Sequence, residues 1–286
     1  MNSLGVSWFQ ADKIAEELES KSGFYFLANP FQENELAQNP KEIFLTLAKL
    51  LGTPVSQSTA GELVLDIKDQ SLSQNDSQAR GPYSNKKLGF HTDRCDVIAF
   101  LCLQPAFSGG ENQIVSSVEV EKIIHNERPD LQAVLSLPFP YKRHVMDSAN
   151  PRPYIMQPIF SSERGYFACS YLRVLIDRAN QDPQCPNLSE IQIEALDFLD
   201  TVCERQNIQT RLMLRRGDLL FLNNWTTLHR RTAFVDEQQE RFKRHLLRIW
   251  LSMPNSRPLD QSFKDNFGSV EAGEVRGGIR TSDNKT

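Results

Sequence analysis

Three apolar runs constrain this chain most: "VIAFLCLQPA" (97–106), "TRLMLRRGDLLFLNN" (210–224) and "RHLLRIWLSMP" (244–254). Each is short and bounded by glycine, proline or polar turn residues, as strands are. The first is apolar at nearly every position rather than at every second one, so it reads as a strand buried on both faces. Further strands are expected in "GFYFLAN" and "ELVLDIK" (62–68), after the glycine turn of "SGGENQIVSS", and as short pieces between Pro138 and Tyr171. Helices are expected at 11–20, in "PKEIFLTLAKLLGTP", after the Ser116–Glu119 capping pattern, and over "LSEIQIEALDFLDTVCE", with Ser189 as N-cap and Gln192 closing the box. No repeat or linker divides 1–286, which predicts one α+β domain around a β-sandwich or barrel-like core. It would have N-terminal helices, a helical insertion at about 188–206 and a polar, glycine-rich tail at about 268–286 expected to fray.

Charge and cysteine usage narrow the partners. Thirty-two basic against 36 acidic residues leave a net charge of −4, no electrostatic reason to expect nucleic acid or an anionic membrane. No apolar run approaches the roughly 18–20 residues of a membrane span, and the N-terminus gains charge too early for a signal peptide. The five cysteines are scattered without a C-x-x-C pair, which fits a reducing cytoplasm. Homo-oligomerisation stays open.

Within "LGFHTDRCDV" (88–97), read as a strand, His91 and Asp93 share one face while Leu88, Phe90 and Thr92 share the other. Two adjacent ionisable groups on a rigid element can grip a metal; a satisfied polar pair at a sheet edge is the plainer alternative. His125, at a solvated helix end, and His144, in a basic loop, are read as structural. His229 follows an apolar strand that can carry it into the core. Two imidazoles and one carboxylate on one face of an octahedron leave three positions open, the arrangement of non-haem Fe(II) oxygenases. Such an enzyme usually needs a co-substrate, and 2-oxoglutarate has a distal carboxylate that a guanidinium pairs best. Arg244 and Arg248, four apart on a strand, can line one cavity; solvated arginines on an edge strand are the alternative.

"YSNKKLGFHTD", "GGENQIVSS", "LLFLNNWTTLHRRTAF" and "RHLLRIWL", in this order between about residues 20 and 255, resemble the taurine dioxygenase (TauD/TfdA-like) family of Fe(II)/2-oxoglutarate oxygenases, relatives of γ-butyrobetaine hydroxylase and clavaminate synthase. The resemblance implies a double-stranded β-helix (jelly-roll) core with flanking helices. It implies that His91, Asp93 and His229 hold iron and that Arg244 pairs the distal carboxylate of 2-oxoglutarate. Arg248 resembles a second arginine that reaches substrate in some relatives, a hint of an anionic small molecule. Asn112 stands where many members have Ser or Thr on the co-substrate, and Tyr83 and Asn85 resemble substrate-contacting positions. Relatives that halogenate lack the carboxylate kept here as Asp93, so hydroxylation or desaturation is expected, with O2 consumed and 2-oxoglutarate converted to succinate and CO2. A jelly-roll binding protein without turnover, and more remotely a metal-dependent hydrolase, are the competing readings. Loops 69–87 and 140–165 are expected to select the substrate.

Overall fold

The computed structural model describes residues 8–32, 35–70, 83–143 and 152–280. Helices α1 (Ala11–Ser20) and α2 (Pro40–Leu51) come first, with strand β1 (Phe24–Leu27) between them. Strands β2 (Thr53–Val55), β3 (Val64–Ile67), β4 (Val97–Gln104) and β5 (Asn112–Ser116) follow, then helices α3 (Ser117–Glu127) and α4 (Pro129–Leu135). Short strands occupy 139–142, 154–157, 160–161 and 168–169 before helix α5 (Glu190–Cys203). Strands β6 (Gln209–Leu212), β7 (Leu219–Asn223), β8 (Thr227–Arg231) and β9 (His245–Ser252) complete the framework.

Two antiparallel sheets form the core. The larger runs β1-β7-β4-β9-β2, with β3 also paired to β9; the smaller runs β6-β5-β8. The fully apolar runs are explained by the two sides of the larger sheet. Val97, Ala99 and Leu101 of β4, with Leu219 and Phe221 of β7 and Leu247, Ile249 and Leu251 of β9, pack against α1 and α2. The alternate residues Ile98, Phe100, Leu220, Leu222, Leu246 and Trp250 face inward and meet Ile114 and Leu212 of the smaller sheet. The outer side of the smaller sheet, through Val115 and Leu228, is covered by α3, α4 and α5. Ser189 and Gln192 form the full capping box that starts α5. By the same alternation, Arg248 on β9 and His229 on β8 point into the space between the sheets. No helix among the described residues is long and apolar enough to cross a membrane.

Two expectations need correction. Residues 88–96 do not form a regular strand: β4 begins at Val97, and only His91 is bridged, to His229. The reason is that Thr92 pairs elsewhere, its N–H donating to Tyr171 O at 2.7 Å, and that Cys95 N–H turns back onto Asp93 O at 2.9 Å. Phe90 and Thr92 are buried and His91 and Asp93 half-buried, but residues of both parities line the same cavity. Nor does the tail fray over residues 268–280. Arg276 is wholly buried and its Nε donates to Asp96 Oδ1 at 2.6 Å. Trp225 Nε1 donates to the same oxygen at 2.8 Å, while Met253 N–H reaches Asp96 Oδ2 at 2.8 Å and Ser252 Oγ reaches it at 3.2 Å. Gly277, at φ 79°, passes so close to Arg94 that a Cβ there would sit 2.5 Å from its carbonyl oxygen. Glycine in this tail therefore serves close packing. His144 lies outside the described residues; His125 is exposed on α3.

Removing the cation from the Arg276–Asp96 pair tests this account of the tail. Breaking a buried pair costs about 3–5 kcal/mol, and Arg276→Ala should fall near the lower end because Asp96 keeps its other donors. Denaturant unfolding measures it; a loss below about 1 kcal/mol, the scale of a surface pair, would mean the tail is not integral to the fold.

Candidate active site

His91 and His229 exchange two backbone hydrogen bonds, N–H to O in each direction, both 3.0 Å. The bridge fixes the imidazoles with ring centres 4.5 Å apart. Asp93 is held by its own backbone, whose N–H donates to Asn224 Oδ1 at 2.9 Å, in the turn between β7 and β8. The ligating atoms of His91, Asp93 and His229 all lie within 4.8 Å of one another.

Hydrogen bonding shows which atoms are left over. His91 Nδ1 lies 2.9 Å from Gly89 O, so Nδ1–H donates there and Nε2 keeps its lone pair. Asp93 Oδ2 lies 3.5 Å from His229 Nε2 and is buried without a hydrogen-bond partner among the described residues. Burial, helped by the neighbouring His229, pushes His91 down to about 4. Burial would raise Asp93, but Arg248 and the two imidazoles hold its carboxyl well below the usual carboxylate range. At neutral pH both groups are in the form that binds metal. The buried, unpartnered carboxylate oxygen calls for a cation, and two imidazoles with one carboxylate suit Fe(II) with three positions open. His229 Nδ1, also buried, has among the described residues no acceptor of the kind metal-bound histidines usually find.

The three residues open onto a cavity of about 500 Å³ that Asn112, Arg244 and Arg248 also line. Arg244 is buried, and burial lowers it to about 10, still cationic at neutral pH. It has no carboxylate ion-pair partner among the described residues; its guanidinium carbon stands 5.1 Å from the Phe234 ring centre and its Nη1 is buried without a hydrogen-bond partner. Asn112 Nδ2 is likewise buried without one. Unpaired donors on a buried cation are costly unless an anion meets them, so the pair fits the distal carboxylate of 2-oxoglutarate.

Tyr83 and Asn85 are not among the residues that line this cavity. Tyr83 packs against the inner cluster between the sheets. Segment 85–91 runs beside β8 and its extension: Leu88 N–H donates to Arg231 O at 3.0 Å and Phe234 N–H to Asn85 O at 3.1 Å. Asn85 is exposed. Sequence reasoning missed Gln57, which lines the cavity beside Arg248, and Asn224; it also missed the tail residues Asn266 and Ile279 on the cavity wall. Of these, only the amide pair in "LLFLNNW" carried a signal, two buried-strand amides with no evident partner. Parts of the expected substrate loops, 71–82 and 144–151, lie outside the described residues.

The family model for taurine catabolism dioxygenase TauD, TfdA family, matches residues 10–250. FR-33289 synthase of Streptomyces rubellomurinus is 26% identical over 264 residues, covering 91% of this chain and 78% of that protein. A taurine hydroxylase-like protein, SAT17, of Stachybotrys chartarum is 25% identical over 275 residues, covering 89% and 69%. Asparagine oxygenase, solved with Fe(II), 2S,3S-3-hydroxyasparagine and succinate, superposes with a TM-score of 0.59 at 18% identity, covering 82% of this chain and 70% of that one. The non-haem iron oxygenase OrfP, solved with Fe and α-ketoglutaric acid, gives 0.57 at 18% identity, covering 85% and 79%. These likenesses identify the two-sheet core as a double-stranded β-helix.

Fold and family together define an Fe(II)- and 2-oxoglutarate-dependent oxygenase. The chain belongs to the taurine catabolism dioxygenase TauD, TfdA family.

Two measurements check the site. His91→Ala and His229→Ala should each lose stoichiometric Fe(II) binding, whereas Arg244→Ala should keep it and weaken 2-oxoglutarate by about 2–5 kcal/mol; anaerobic calorimetric titration reads both. Equal Fe(II) binding by wild type and both histidine variants would remove the ligand assignment. The second is a pH profile. Unfolded, His91 gains its proton near the ordinary 6.5; folded, only near about 4. The unfolded chain thus binds more protons between these values, so stability of chelator-treated protein should fall as pH drops through that window. His91→Gln should flatten the fall, and an unchanged slope would show that His91 is not held neutral by burial.

Proposed function

We propose that this oxygenase hydroxylates an anionic small molecule in the cavity between its two sheets. His91, Asp93 and His229 would hold Fe(II), Arg244 and Asn112 the distal carboxylate of 2-oxoglutarate, and Arg248 the substrate's anionic group. The observation that carries this reading is the joint one: three converging ligand atoms share a cavity with a buried guanidinium that has no carboxylate ion-pair partner among the described residues. When bound, Fe(II) and 2-oxoglutarate supply an oxidant for an unactivated C–H bond, from O2 and the loss of CO2, with succinate as the other product.

The chain's own residues perform the binding and the orientation. Arg244, whose backbone N–H donates to Asp236 Oδ1 at 2.7 Å just before β9, would set how deep the dicarboxylate can enter. The apolar walls, Ile67, Phe100, Ile155, Leu172 and Trp250 among them, exclude water from the reacting region. Asp93 fills the position that a halide would need, which supports hydroxylation over halogenation. Five buried cysteines without a disulfide support a cytoplasmic setting.

The test is a substrate screen by mass spectrometry with Fe(II), ascorbate, O2 and 2-oxoglutarate, using carboxylates, sulfonates and phosphonates against neutral and cationic analogues. A mass gain of one oxygen, with stoichiometric succinate, is expected from an anionic member. Turnover confined to cationic compounds would overturn the role given to Arg248. A protein that binds Fe(II) and 2-oxoglutarate but never consumes the latter would be a binding protein.

A further inference from the structure

Arg248 stands in an unusual relation to the metal ligands. Its Nη1 lies 3.8 Å from Asp93 Oδ1, the carboxylate oxygen that does not face His229. Its Nε donates to Gln57 Oε1 at 2.7 Å. Gln57 Nε2 in turn donates to the Arg248 carbonyl at 2.9 Å and to the Leu63 carbonyl at 3.0 Å, and Gln57 N–H donates to Glu62 O at 2.9 Å. Gln57 thus grips Arg248 at backbone and side chain together and is itself fixed to the β2–β3 connection. The guanidinium carbon also lies 5.0 Å from the Trp250 ring centre, two residues along the same strand face. All three side chains are buried.

A guanidinium fixed at its Nε edge and its face keeps one direction for its Nη edge. Here Nη1, on that edge, stands 3.8 Å from Oδ1, an ion-pair rather than a hydrogen-bond distance. A carboxylate can give a metal one oxygen or two, and the choice matters at a three-residue site. One oxygen leaves three open positions, enough for a bidentate 2-oxoglutarate and O2; two oxygens leave only two.

We infer that Gln57 is a positioning residue for the metal centre: by aiming Arg248 at Asp93 Oδ1, it makes Asp93 present a single oxygen, Oδ2, to the metal. The inference rests on the proposed ligand set and adds a function to Arg248 beyond the substrate contact given above. Outer partners of this kind orient ligands, and their loss typically costs about 10–100-fold in metal affinity or activity. A two-oxygen Asp93 would leave 2-oxoglutarate to bind at the expense of the O2 position or in competition with the second Asp93 oxygen, so the loss should fall on the co-substrate and O2 rather than on the metal.

The experiment is an anaerobic titration of the Fe(II)-loaded protein with 2-oxoglutarate, read by the visible charge-transfer band of the chelate, with Fe(II) affinity measured separately. Gln57→Leu, similar in volume and unable to hold Arg248, should weaken 2-oxoglutarate about tenfold and alter the band while Fe(II) affinity stays within about threefold. Gln57→Glu keeps an acceptor for Arg248 Nε and should restore most of the loss. Arg248→Lys keeps the charge but loses the fork, and should behave like Gln57→Leu; it also serves if Gln57→Leu does not fold. A folded Gln57→Leu, or an Arg248→Lys, with the wild-type titration and band would overturn the inference. Absence of the band in the wild type would instead strike at the ligand set itself, so the two failures are distinguishable.

Discussion

The pair of backbone hydrogen bonds between His91 and His229 holds the site together. It joins a segment without regular structure to β8 and so sets two imidazoles from distant parts of the chain side by side. Neither residue needs a long strand for this. His229 is placed by the smaller sheet, through the pairing of β8 with β5, and His91 is placed by His229. Asp93, two residues on, is then set by the turn that Asn224 anchors. The proposed metal site rests on few contacts, each backbone-fixed on at least one side.

Around that bridge the sandwich accepts charges that a hydrophobic core would not. Arg248, on an inward position of β9, and Arg244, just before that strand, line the cavity of a sheet whose outer face is packed by two helices. Burying a guanidinium without an anion is unfavourable, so part of the stability available from β4, β7 and β9 offsets the cost of burying Arg244. Gln57 lessens that cost for Arg248 by satisfying Nε. The Arg276–Asp96 pair is the structural counterpart. There the anion is built in, and the buried pair anchors the tail to Trp225 and to the end of β9 rather than waiting for a ligand.

Much of this was legible in the sequence, for physical reasons that differ by element. The apolar runs of β4, β7 and β9 declared two-sided burial, and the caps at Ser116 and Ser189 placed α3 and α5. His91, Asp93 and His229 stood out because ionisable groups beside apolar runs need a reason. The irregular course of 88–96 was not legible, since Thr92 pairs with Tyr171 across 79 residues and no local periodicity records that. The packed tail was missed because glycine-rich, polar sequence reads as loose; its order depends on one buried ion pair and close backbone approaches. Gln57 carried no signal at all. Its role comes from a 191-residue separation closed only by the fold.

The central claim is that His91, Asp93 and His229 are one metal site with Arg244 as its co-substrate anchor. A crystal structure with Mn(II) in place of iron and 2-oxoglutarate added tests it most directly. The account predicts one metal ion bound by His91 Nε2, Asp93 Oδ2 and His229 Nε2, with the distal carboxylate of 2-oxoglutarate on the Arg244 guanidinium. Metal at another cluster, or a dicarboxylate that leaves Arg244 without an anion, would contradict it.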